Sequence, residues 1–156
     1  MHYSKWQFTW LVVLRVAVGW HFLYEGMVKV VNPNWSSVSY LIDSNGWFAD
    51  WFLTIASNPD LLRIADFLNI WGLIAIGIGL ILGLFTKVAN WSGIVLLTFY
   101  YLSHPAFIGL NYAMPMEGSY LIVNKVLIEL IALILVLVFP TSNQIGLDRF
   151  IFNRKK

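Results

Sequence analysis

Four runs of about twenty apolar residues decide what this chain can become, because that is the length a helix needs to cross a hydrocarbon core. They are roughly residues 6–30, 67–86 (FLNIWGLIAIGIGLILGLFT), 88–107 (VANWSGIVLLTFYYLSHPAF) and 119–139 (SYLIVNKVLIELIALILVLVF). Barrel strands would alternate apolar and polar residues, and these runs do not. The reading is an all-α integral membrane protein, one domain over residues 1–156, folded as an antiparallel bundle of four transmembrane helices. Composition agrees: 59% of residues are hydrophobic and 12% charged, whereas soluble domains are about 45–50% apolar and about 25% charged.

The first run is too long for a cleavable signal and lacks a small-residue cleavage site, so it is read as the first span. There are no cysteines, which excludes disulfides, thiolate metal sites, Fe–S ligation and persulfides on the chain itself. A net charge of +2 gives no footing for nucleic acid.

The second and third runs meet around Thr86 and Lys87 in a tight hairpin, and the loop from Gly109 to Gly118 is also short. Residues 31–66 are long and aromatic. They read as an outer interfacial segment of two short amphipathic helices punctuated by Pro33 and Pro59, with a re-entrant cap as the alternative. Lys5, Lys87, Arg149, Arg154, Lys155 and Lys156 share one side of this topology. The other side has Arg63 among Asp43, Asp50, Asp60, Asp66 and Glu117. The positive-inside rule therefore puts both termini in the cytoplasm and residues 31–66 outside. Gly79 and Gly83 make a G-x-x-x-G step, near Gly72 and Gly77, of the kind that lets helices approach closely.

The polar residues in these runs are unevenly placed. At about 1.5 Å per residue, Lys29 lies ~3 Å below the outer face, Glu25 ~9 Å, His21 ~15 Å and Arg15 ~24 Å. By the same count Asn69 is ~3 Å deep, His104 ~5 Å, Asn124 and Lys125 ~8 Å and Glu129 ~15 Å. His21, Glu25 and Lys29 follow i, i+4, i+8 and form one stripe flanked by Gly19 and Gly26, and Lys125 and Glu129 repeat the spacing. Turned inward, the stripes predict a polar pocket in the outer half, above a greasy inner half.

Ionisable groups at such depth are functional candidates. Each also has a plainer reading. Lys29 can snorkel to the interface, Arg15 can pair with Glu129, His21 can lock onto Glu25, and His104, before Pro105, can sit at the head groups. A haem between His21 and His104, or a metal on His21, Glu25 and His104, is chemically conceivable, but no haem or metal is expected. Donors, a proton-exchanging acid and apolar walls are what a quinone head group needs. Trp20, Trp71, Tyr100 and Tyr101 can wall a ring or merely pack.

The stretch LRVAVGWHFLYEGMVKV, with Arg15, Gly19, Phe22, Gly26 and Lys29, resembles the first helix of the DoxX/DoxD membrane proteins. GLILGLFTKVANWSG is similar to their second hairpin. YYLSHP and EGSYLIVNKVLIEL are similar to the third and fourth helices of variants from Bacteroidota-type bacteria. The resemblance implies a four-helix subunit in the bacterial cytoplasmic membrane. The namesake members belong to a thiosulfate:quinone oxidoreductase, and others work with redox or thiol-stress partners.

The expected function is a quinone-interacting subunit of an oxidoreductase, taking menaquinone or ubiquinone, or else a small anionic substrate, in the outer pocket. His21 and Lys125 would donate to the head group and Glu25 or Glu129 would exchange protons. Arg15 and Lys29 would hold negative charge, and Asn69, His104 and Asn124 would complete the binding set. Electrons would come from a redox partner, a second subunit or a soluble reductant. Membrane lipid surrounds the bundle, and a homo-oligomer is compatible. The alternatives are a non-catalytic scaffold, docking a partner through Trp35, Trp47 and Trp51, and a small-solute carrier.

Overall fold

The computed structural model describes residues 3–113 and 121–152. Residues 119 and 120 of the fourth run lie outside the described residues. So do Glu117, Arg154, Lys155 and Lys156 of the charge count. Seven helices and no strands occur among the described residues: α1 (Lys5–Val31), α2 (Val38–Ile42), α3 (Ala49–Ser57), α4 (Pro59–Leu82), α5 (Thr86–Ser103), α6 (Lys125–Val138) and α7 (Asp148–Phe152). Helices α1 and α4 are long and apolar enough to cross a membrane. Together α1, α4, α5 and α6 make a bundle around Val18, Phe22, Leu73, Ile76, Leu80, Ala89, Leu97 and Leu133.

The helix limits follow local chemistry. Ser4 opens α1 with a capping box: its Oγ accepts from Gln7 N at 3.2 Å, and its own N–H donates to Gln7 Oε1 at 2.9 Å. Helix α4 starts at Pro59, two turns before the predicted 67. Asn58 Oδ1 accepts from Asp60 N and Leu61 N, and proline suits the first helical position. Helix α6 starts at Lys125, not 119. Asn124 Oδ1 accepts from Leu127 N at 2.9 Å, so Asn124 is a cap and not a residue inside a span. Its 14 residues give a rod of about 21 Å. Two short helices, α2 and α3, do occupy part of residues 31–66, and the rest of that segment's helix belongs to α4.

Close approach joins α1 to α4. A Cβ on Gly77 would stand 2.5 Å from Leu23 N, and one on Gly19 would stand 2.8 Å from Leu80 Cβ. The flanking glycines of the α1 stripe therefore admit a helix. The G-x-x-x-G step does something else: Gly79 faces Ala89, while Gly83, at φ +64°, ends α4 against Gly146. Because Leu23 N is backbone and cannot swing aside, Gly77→Ala is expected to lower stability by about 1–3 kcal/mol. Thermal unfolding in detergent measures this, and an unchanged midpoint would refute the seam.

The turn after Gly83 leaves α5 with Phe85 at its N-cap, a residue that has no side-chain acceptor. Asp148 supplies one from 63 residues away, taking Phe85 N at 2.7 Å, Thr86 N at 3.1 Å and Thr86 Oγ at 2.7 Å. Burial pushes the Asp148 carboxyl up, but the hydrogen bonds from Thr86, Ser142 and Phe85 together outweigh it and hold it below its ordinary 3.8. A lowered folded-state value means stability that is fully present well above pH 3.8 and lost as pH falls below 3.8 towards the folded value. Unfolding midpoints between about pH 6 and pH 3 should therefore decline with acid, and less steeply in Asp148→Asn.

Candidate functional site

At the end of the bundle where α1 finishes and α6 begins, a cavity of about 370 Å³ lies between the helices. Eight of the nine residues proposed from sequence line it: His21, Glu25, Lys29, Asn69, His104, Asn124, Lys125 and Glu129. The ninth, Arg15, does not.

On one wall, His21 Nδ1 lies 2.6 Å from Glu129 Oε1 across the α1–α6 contact, and with Glu129 ionised that N–H donates. His21 Nε2 lies 3.9 Å from Glu25 Oε1. The tight bond is therefore between helices, and the i, i+4 lock to Glu25 is only a loose ion pair. A single imidazole thus stands between two carboxylates, of which Glu129 is the more buried (12% exposed side chain against 47% for Glu25).

On another wall, Lys29 Nζ donates to Asn69 Oδ1 at 2.8 Å and sits 4.9 Å from the Trp35 ring centroid and 5.9 Å from that of Tyr100. Lys29 does not snorkel. An amide acceptor and two aromatic faces hold its ammonium at the cavity. Asn69 is satisfied on both sides, because its Nδ2 donates to the Tyr100 hydroxyl. His104 is buried, not at the head groups: its ring stacks on Tyr40 at 4.0 Å and lies 4.8 Å from that of Tyr112. Its Nδ1 is 3.0 Å from Ser103 Oγ, and its Nε2 is 3.8 Å from Asp43 Oδ2.

Arg15 requires a correction. It lies at the opposite end, 1% exposed, with Nη1 donating to Thr141 Oγ1 at 3.0 Å and Nη2 to the Ile145 carbonyl at 2.8 Å. Asp148 is the acid whose charge acts on it, without a direct ion pair between them among the described residues. The pairing with Glu129 fails because the segment after α6 folds back to reach the guanidinium first. Of the four proposed aromatic walls, only Tyr100 lines the cavity. Trp20 and Trp71 face outward, and the Tyr101 hydroxyl donates to the Ile122 carbonyl.

Sequence reasoning missed Ser36, Ser37, Ser39 and Tyr40, which roof the cavity together with Trp35; read as a docking residue beside Trp47 and Trp51, Trp35 instead lines the cavity over Lys29. Ser37 N and Oγ both donate to Asp66 Oδ1, and the Tyr40 hydroxyl donates to the Tyr100 carbonyl at 3.2 Å. Burial first, and the neighbouring Tyr100 second, raise the Tyr40 hydroxyl above the ordinary phenol range, so it remains a donor. The signal was the cluster WSSVSY, polar serines between two aromatics just beyond the first apolar run.

Counted as formal charges, the lining opposes Glu25 and Glu129 with Lys29 and Lys125, so it is neutral when His21 and His104 are both neutral and positive when either is protonated. Phe22, Leu73, Leu97 and Val126 supply apolar surface between these groups. Among the described residues no cluster of three or more histidine, aspartate or glutamate side chains could hold a metal ion.

Fold and site together define a class: a helical bundle, with two helices long and apolar enough to cross a membrane, that encloses a largely apolar cavity lined by two acids and two lysines. The DoxX family model matches residues 10–105, well over half the chain. The chain belongs to the DoxX family. No curated protein and no solved structure matches it.

Proposed function

We propose that this protein is a quinone-interacting subunit of a membrane oxidoreductase, with the 370 Å³ cavity as the head-group site. The reading adopts four spans in a bacterial cytoplasmic membrane, both termini in the cytoplasm and the cavity towards the outer face, as the lysine and arginine bias suggests. The observation that carries it is the combination of largely apolar walls, two carboxylates offset by two lysines, and the imidazole of His21 between Glu129 and Glu25. A neutral ring fits the apolar walls without adding a charge that the lining must pair.

A quinone supplies two-electron, two-proton chemistry when bound, its electrons coming from a partner protein or soluble reductant. The chain's own residues supply the rest. His21 and Lys125 donate to the head group, and Lys29, fixed by Asn69, stabilises negative charge. Glu129, through His21 to the more exposed Glu25, moves protons between cavity and surface. Menaquinone and ubiquinone both meet these requirements.

The test is purification in mild detergent, lipid extraction and mass spectrometry, followed by titration with a short-tailed quinone. Bound native quinone and saturable binding, lost in Lys29→Met, are expected. Absence of both co-purified quinone and saturable binding would sink the idea.

A scaffold role has one observation in its favour: Trp47 is 86% exposed and Trp51 half-exposed at the same end. It predicts a co-purifying partner and a cavity that ignores quinone. A carrier is disfavoured by Phe22, Leu80 and Leu133, which fill the bundle interior.

A further inference from the structure

A second cavity, of about 410 Å³, lies at the other end of the bundle, beside the start of α5 and the end of α6. Phe85, Val136, Leu137 and Phe152 form its apolar wall, and Asn90, Ser142 and Asp148 lie on its polar side. Lys87 also lines it, is exposed, and has no ion-pair partner among the described residues.

Asn90 makes this more than a crevice. It is 1% exposed, its Nδ2 donates to the Thr86 carbonyl at 2.8 Å, and its Oδ1 has no hydrogen-bond partner. A buried amide oxygen without a donor is costly, so the occupant of the cavity is expected to bring an N–H or O–H. Asp148 cannot serve, because it is itself an acceptor engaged by Phe85 and Thr86.

We propose that this cavity binds the head group of a phospholipid carrying an N–H or O–H donor beside its phosphate. The donor reaches Asn90 Oδ1, which is closed to water in this structure, as the lining shifts to admit the head group; the phosphate meets Lys87, and the first methylenes of an acyl chain lie on Val136, Leu137 and Phe152. The proposal rests on the membrane-spanning reading, with this end at head-group depth, and is independent of the quinone. Ethanolamine and glycerol head groups both carry such donors, and choline carries none. The negative charge of Asp148 favours an ammonium, so ethanolamine is expected to lead.

The full chain is assembled into nanodiscs of phosphatidylethanolamine, phosphatidylglycerol and phosphatidylcholine in equal amounts, released into mild detergent and weighed by native mass spectrometry. Phosphatidylethanolamine should be retained about fivefold or more over phosphatidylcholine, the effect of roughly one hydrogen bond, with phosphatidylglycerol between. Asn90→Leu should erase the preference for ethanolamine over choline. Lys87→Ala, at an exposed position where folding is not at stake, should weaken retention of both donor lipids. Should Asn90→Leu misfold, Leu137→Trp fills the cavity from α6 and should lose the retained lipid while Asn90 remains. Equal retention of all three lipids, or a preference that survives these variants, overturns the proposal. Phosphatidylglycerol ahead of phosphatidylethanolamine overturns the ammonium assignment. A chain that fails to enter nanodiscs overturns the membrane reading beneath it.

Discussion

Replacing Arg15 with alanine is expected to cost about 3 kcal/mol of stability and to loosen the segment after α6 from the bundle. The guanidinium is 1% exposed and bonds two points of that segment, Thr141 Oγ1 and the Ile145 carbonyl. Removing it leaves the buried Thr141 hydroxyl and the part-buried Ile145 carbonyl short of a donor, and a cavity where the side chain ran. The guanidinium also packs beside Gly83, which ends α4, so the damage spreads to the α4–α5 turn. Arg15→Lys should recover only part of the loss, because one ammonium cannot reproduce the forked pair of bonds. Thermal unfolding in detergent and protease sensitivity near residue 141 read the effect. Quinone binding by Arg15→Lys should stay close to wild type, since Arg15 lies at the far end from the cavity. A stable Arg15→Ala protein that has lost quinone would return Arg15 to the ligand site.

Depth and helical face were enough to find most of the candidate site. On α1, the i, i+4, i+8 spacing of His21, Glu25 and Lys29 puts three polar side chains on one stripe, and Lys125 and Glu129 answer from α6. Asn69 and His104 lie close to the same end of their apolar runs, so topology alone brings them near. What that logic lacks is everything outside the helices. Periodicity shows only helical partners, so it sets Arg15 with the ligand-binding residues or against Glu129; neither a backbone carbonyl nor a threonine in a following loop leaves a periodic signal. The cavity roof was invisible for the same reason: WSSVSY has no depth to read, and its place depends on Asp66 holding Ser37. The start of α6 was missed because Leu121, Ile122 and Val123 are as apolar as the helix they precede, which hides Asn124 as a cap. Lys29 tests the snorkelling rule. A lysine near a helix end is free to reach the interface, but an amide oxygen and two aromatic faces within reach compete successfully.

Glu129→Gln is expected to separate binding from proton transfer. Glutamine keeps the shape and can still accept from His21 Nδ1 through its amide oxygen, so the imidazole keeps its orientation. What it removes is the acid. Affinity for a short-tailed quinone should therefore change by less than about threefold, while quinone reduction by the complex with its electron donor falls about a hundredfold or more, the usual scale of a lost general acid–base group. Glu129→Ala removes the orientation as well and should lower both. The same change tips the lining from balance to Lys29 and Lys125 against Glu25 alone. A small anion such as thiosulfate should then bind more tightly than it does to the wild type, whereas a neutral ring gains nothing from the added positive charge. Isothermal titration with each ligand discriminates the two. Tighter thiosulfate with quinone affinity unchanged is the pattern of a neutral-ligand site rebalanced by mutation. Strong anion binding in the wild-type protein, weakened rather than strengthened by Glu129→Gln, would mean that Glu129 serves as a hydrogen-bonding acid for an anionic substrate and that the quinone assignment is wrong.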